Sequence, residues 1–206
     1  GNIPDEIIQT IPLDGFVAAL GSDIRYQGKQ LHSAALSKEQ LRRITEYFFQ
    51  EDKFCILEGE EKVFVINPPE FREDRIEITS PDELEKFYPE SRINIFASIG
   101  EISDREKELF GDELYCIEHP YYYEWALKGN SKARGMEILL NHLGIPLKDS
   151  IAIGDSMNDL DMLEHAGFSI AMENSPEKVI EACDAVTKTA DEGGVAIALK
   201  KYVCGK

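Results

Sequence analysis

Apolar positions along the chain follow two rhythms, and the change between them falls near residue 129. Before it, short apolar runs alternate with helical patterns and tight turns. "GFVAAL" (15–20) reads as a buried strand, and "DIRYQGKQLHSAAL" reads as two strands around a turn at Gln27, Gly28 and Lys29. Ser37 stands three residues before Gln40, a capping-box pattern that predicts a helix to about Phe49, with Leu41, Ile44, Tyr47 and Phe48 on one face. "FCILEGE" and "KVFVINPP" predict a hairpin around Gly59. A helix is expected over 80–88, with Ser80 as cap and Pro81 in its first turn. A strand at 92–100, a helix at 104–111 and two strands ending near Leu127 complete this stretch. The sequence also predicts a short helix at 2–10.

After residue 129 strands and helices alternate regularly. Helices are expected at 131–144, 157–167, 175–183 and 193–203, and strands at 150–154, 168–172 and 185–188. That rhythm signals right-handed crossover units and a parallel sheet. The predicted fold class is therefore α/β: a doubly wound, Rossmann-like core made of residues 1–22 and 129–206, with an inserted α+β module at 23–128.

Composition narrows the functional classes. The 206 residues carry a formal charge of −17, with 30% charged and 43% apolar residues. No dense Lys/Arg cluster tracks a phosphate backbone, so neither nucleic acid nor an anionic membrane is an expected partner. No apolar run reaches the ~20 residues of a membrane-spanning helix, and no signal peptide is visible. Cys55, Cys116, Cys183 and Cys204 lack CxxC spacing, which suits free thiols in a reducing, cytoplasmic setting. Cys116 and His119 form the only close Cys/His pair, too few for a zinc site. The aromatic run Tyr121, Tyr122, Tyr123 and Trp125 could stack on a sugar or base, although strand alternation assigns half of it to the core.

The chemistry concentrates in "IAIGDSMNDLDML" (151–163). A strand ends at Gly154, Asp155 follows at its carboxyl end, and Asn158 and Asp159 enter the next helix. Ligands bind at that end of open α/β sheets. Two carboxylates beside an amide make a hard oxygen site suited to Mg²⁺. The same spacing also suits Asp155 or Ser156 as a helix cap, with Asp159 complementing the dipole.

"GDSMND" resembles the GDxxND signature of haloacid dehalogenase superfamily phosphatases of the Cof-type (IIB) branch. The resemblance extends through "SIAMENS" and the tail to residue 199. It reaches upstream to "EWALKGNSKARG", which is similar to the segment carrying the family lysine, here Lys132. It covers nearly all of residues 11–206. It implies a Mg²⁺-dependent phosphatase of small phosphorylated metabolites, such as sugar phosphates, working through an aspartyl-phosphate. Asp155 and Asp159 would serve the metal, Asp159 and Lys132 catalysis, and Lys132 and Asn158 the phosphate. Residues 23–128 would be the cap that selects substrate.

The family's nucleophile motif, DxDGT, has no counterpart in "PLDGF" (12–16), where Pro12 would stand at the nucleophile and Phe16 at the threonine. The segment at 11–21 instead resembles the family's helix-to-strand connection and third core strand. The alignment places the nucleophile upstream of Gly1, so the chain alone would be inactive. Its core would then lack the central strand and be stable only with that segment, through a rearranged sheet or by self-association. The alternatives are a non-catalytic member acting as a binding module and a phosphotransferase on the same fold.

Overall fold

The computed structural model describes residues 13–87 and 91–204. The expected helix at 2–10 and the reading of Pro12 lie outside the described residues. Two compact units divide the chain, Gly1–Asn130 and Ser131–Lys206.

In the first unit, β1 (Gly15–Ala18), β2 (Asp23–Tyr26) and β3 (Lys29–Ser33) form an antiparallel meander. Gln27 and Gly28 both take positive φ, 48° and 74°, as a tight hairpin turn between right-twisted strands demands. Next come α1 (Lys38–Gln50), β4 (Cys55–Gly59), β5 (Val63–Ile66), β6 (Ile76–Glu77), α2 (Pro81–Leu84), β7 (Ile93–Ile99), α3 (Asp104–Phe110), β8 (Leu114–Glu118) and β9 (Tyr122–Leu127). The six strands from β4 onward make one sheet in the order β6-β5-β4-β7-β9-β8. The capping box opening α1 is present: Ser37 Oγ accepts from Gln40 N–H, and Gln40 Oε1 accepts from Ser37 N–H. The apolar face of α1 delivers Leu41, Ile44, Tyr47 and Phe48 to a core that also holds Phe96, Phe110 and Trp125. Edge-to-face contacts link these rings, and Phe96 stacks on Trp125 at 5.9 Å. Such pairs stabilise by about 0.5–1.5 kcal/mol beyond the area they bury.

Two expectations need correction here. The strand expected over 15–20 ends at Ala18. Ala19–Gly21 form a short 3₁₀ turn in which Ala19 and Leu20 take left-handed φ, 47° and 52°, which no strand accommodates. Leu20 then packs on Ile95 and Ala126. Among the described residues β1 pairs with β2 alone. The helix expected over 80–88 is also shorter, one α turn followed by a 3₁₀ turn at Glu85–Phe87.

The second unit contains α4 (Lys132–Leu143), β10 (Ile151–Gly154), α5 (Leu160–His165), β11 (Phe168–Met172), α6 (Glu177–Glu181), β12 (Ala185–Thr187) and α7 (Gly194–Tyr202). Its three strands are parallel in the order β10-β11-β12, as the alternating rhythm predicts, with Ile151 opposite Phe168 and Ile170 opposite Ala185. Ser131 Oγ caps α4 by accepting from Arg134 N–H, and Gly144 closes it in the left-handed conformation. Among the described residues, the main core cluster of this unit is small: Ala152, Leu163, Ala171 and Val179, with Ile170, Met172 and Ala198 also buried. β10 is an edge strand among the described residues, and Ile151 is exposed on it. No helix among the described residues is long and apolar enough to cross a membrane.

Candidate active site

All four residues singled out in the sequence lie in the second unit, and the structure brings them together at the carboxyl end of β10. The approach begins with a glycine. A Cβ on Gly154 would stand 2.6 Å from Asp159 Cβ, so only glycine lets the carboxylate fold back under the loop. Residues Met157–Asp159 form a 3₁₀ turn leading directly into α5, where the pattern predicted one continuous helix.

Asp159 is buried, and both its oxygens are engaged. Oδ2 accepts from the backbone N–H groups of Asp155 and Ser156, each at 3.1 Å, and from Ser156 Oγ at 3.0 Å. Oδ1 accepts from Lys132 Nζ at 2.5 Å. Burial pushes the Asp159 pKa up. The bond and charge of Lys132, with the loop donors, outweigh burial and hold it below the ordinary carboxylate value. Lys132, at the start of α4, also donates to Asn158 Oδ1 at 2.9 Å. An ammonium has three protons, so one N–H stays available for an incoming anion. Asn158 Oδ1 accepts from Ser156 Oγ as well, at 2.6 Å. Its amide N–H₂ has no acceptor among the described residues.

Asp155 differs in kind. Its side chain is exposed, and its carboxylate accepts no hydrogen bond among the described residues. The two aspartates thus divide into a free carboxylate at the mouth and a buried one that organises its neighbours. No group of three or more His, Cys, Asp or Glu positioned to hold a metal occurs among the described residues. A hard cation would therefore meet one open carboxylate, Asp155, and complete its shell with water or other oxygens.

Ser156, read from the sequence as a candidate cap, stands at the N-cap of the 3₁₀ turn and exchanges hydrogen bonds with Asp159, while its hydroxyl also donates to Asn158. One contributor escaped the sequence reading: Asp161 Oδ2 accepts from the N–H of Ala133, tying α5 to the first turn of α4. Nothing local announces it, since its partner lies 28 residues away.

The sequence profile of haloacid dehalogenase-like hydrolases matches residues 4–199. The chain belongs to this family. A putative phosphatase from Haemophilus influenzae is 35% identical over 130 residues, covering 62% of this chain and 49% of that protein. The Bacillus subtilis phosphatase YwpJ is 35% identical over 124 residues, covering 60% of this chain and 44% of its own length. The matched stretch thus spans less than half of either relative. A solved structure of a subclass IIB sugar phosphatase of the haloacid dehalogenase superfamily superposes with a TM-score of 0.78 at 23% identity, covering 96% of this chain and 79% of that one. The family fold is therefore present, with a Rossmann-like parallel sheet carrying the Gly154–Asp159 loop.

Proposed function

We propose that this chain supplies the phosphoryl-binding half of a Mg²⁺-assisted phosphatase of small phosphorylated metabolites, with sugar phosphates as the first class to try. One observation carries the reading: Lys132 is held by Asp159 and Asn158 at a strand mouth where Asp155 is free. Relatives described as phosphatases support it. In this reading residues 1–22 and 129–206 form the catalytic core, and residues 23–128 form the cap that selects substrate.

The roles follow from the contacts. The remaining Lys132 N–H and the free Asn158 amide donate to phosphoryl oxygens, where charge grows during transfer. Asp159 positions Lys132 and keeps it charged. Asp155 would hold Mg²⁺, which when bound neutralises phosphoryl charge and orients the reacting oxygens.

None of these four residues serves as a nucleophile. The covalent route needs an aspartate whose oxygen forms a bond to phosphorus as the ester P–O bond breaks and the leaving oxygen takes a proton. Water then hydrolyses the aspartyl-phosphate. Among the described residues β10 is an edge strand, so a further parallel strand beside it could present that aspartate, and the same edge would support self-association if unpaired.

The test compares hydrolysis of an aryl phosphate by this chain and by the chain extended at its N-terminus with a DxDGT-bearing strand. Mg²⁺-dependent turnover by the extended chain, abolished in Asp155→Ala, supports the reading. Turnover by the unextended chain overturns the nucleophile assignment. An extended chain that folds but stays inactive on a panel of phosphorylated metabolites favours the non-catalytic alternative.

A further inference from the structure

The two helices that carry the site are fastened near their N-terminal ends by one carboxylate. Asp161, in the first turn of α5, is half-buried, and both its oxygens are engaged. Oδ2 accepts from the N–H of Ala133 at 3.1 Å, and Oδ1 accepts from the N–H of Met162 at 2.8 Å. Ala133 follows Lys132 in the first turn of α4, where backbone N–H groups have no acceptor within the helix. Ser131 Oγ takes one of these donors, the N–H of Arg134. That cap orders α4 itself but does not fix where α4 stands relative to α5. The Asp161 bond does, because it crosses between the helices, and its charge also complements the positive end of a helix of 12 residues.

Lys132 depends on that relation. Its backbone belongs to α4, while its ammonium bonds to Asn158 and Asp159 in the turn that enters α5. A lysine stem is flexible, so its head keeps one geometry only while both ends of this span stay at a fixed spacing. A second link joins the helices further along. His165 Nε2 and Glu137 Oε1 lie 2.8 Å apart, both partly exposed, and Glu137 also accepts from Arg134 of its own helix. Glu137 stands more than one turn beyond Lys132, so it ties α4 to α5 without fixing the first turn.

We propose that Asp161 is a positioning residue for phosphoryl transfer: by fastening the first turn of α4 to the start of α5, it holds Lys132 beside Asn158 and Asp159 with one ammonium N–H left for the phosphoryl oxygen. The inference rests on the phosphoryl reading of the site and adds a residue that acts only through Lys132. A tether that served stability alone would leave Lys132 unaffected, and Glu137 would then matter as much as Asp161.

The test compares the wild-type chain with Asp161→Ala, Asp161→Asn and Glu137→Gln by NMR, with circular dichroism to check that the fold is kept. One readout is the exchange of the Lys132 ammonium protons with water, assigned by the loss of their signal in Lys132→Met. The other is the Kd of inorganic phosphate, read from amide shifts. In Asp161→Ala the exchange should quicken and the Kd should rise, each at least about tenfold, the effect of losing one hydrogen bond to a charged group. Asp161→Asn keeps an oxygen for the Ala133 N–H and should stay within about threefold of wild type on both readouts. Glu137→Gln should match wild type on both, even where it lowers stability. Unchanged exchange in folded Asp161→Ala, a phosphate Kd that is unchanged or falls there, or equal effects in Glu137→Gln overturns the inference. If the wild type gives no phosphate response, the phosphoryl reading fails, and the ammonium exchange alone decides whether Asp161 positions Lys132. If Asp161→Ala does not fold, Asp161→Ser, whose hydroxyl stops short of Ala133, takes its place.

Discussion

At Gly154 a single hydrogen decides whether the loop can close, because any Cβ there would meet Asp159 at 2.6 Å. Gly154→Ala should cost about 1–3 kcal/mol in urea denaturation, as overpacking does, and release Lys132 from its partner. Lys132→Met leaves the buried Asp159 carboxylate with loop donors only. A loss of about 1–3 kcal/mol is expected, with Lys132→Arg recovering part of it. The pH dependence has a defined sign. The folded pKa of Asp159 lies below that of the unfolded chain, which is about 3.9. Its contribution is therefore fully present above that value and is lost as pH falls through the folded pKa. Acid unfolding should show a smaller contribution of this kind in Lys132→Met than in wild type.

Among the elements, α3 and α1 are joined by a buried charge. Glu106 is fully buried and accepts from Lys53 Nζ at 2.5 Å and from the Tyr47 hydroxyl at 3.2 Å. Lys53→Met should destabilise by about 3–5 kcal/mol, because it strands a buried carboxylate, while Lys53→Met with Glu106→Gln should recover much of that. Thermal denaturation of the single and double variants measures both effects. Elements with local signals were legible in the sequence. The Ser37–Gln40 box, the turn at Gln27 and Gly28, and the parallel pairing of β10 with β11 follow from caps, turn chemistry and rhythm. The site was legible for a related reason: Gly154 to Asp159 fit within six residues, and Lys132 came through resemblance. What stayed hidden depends on distant partners. β6 is two residues long and exists by pairing with β5. The left-handed turn at Ala19 and Leu20 is set by the packing of Leu20 on Ile95 and Ala126, which overrides the strand preference of "GFVAAL".

At the scale of the whole chain, the two units differ in how much they bury. Among the described residues, the main core cluster of the first unit holds sixteen buried residues and that of the second holds four. Ile151, Val195, Ile197 and Leu199 remain exposed in the second unit. Amide exchange should therefore be slower in β4, β7 and β9 than in β10 to β12, since local stability follows buried apolar contact. Equal protection in both sheets would mean that the exposed apolar face is covered in solution, as self-association through β10 would do. The central claim, that Lys132, Asp155, Asn158 and Asp159 form one phosphoryl site, is tested most directly by amide NMR during titration with Mg²⁺ and inorganic phosphate. The account predicts shift changes concentrated at residues 131–134 and 154–160, with the Mg²⁺ response lost in Asp155→Asn and the phosphate response lost in Lys132→Met. Changes centred elsewhere, or a full Mg²⁺ response surviving in Asp155→Asn, would contradict it.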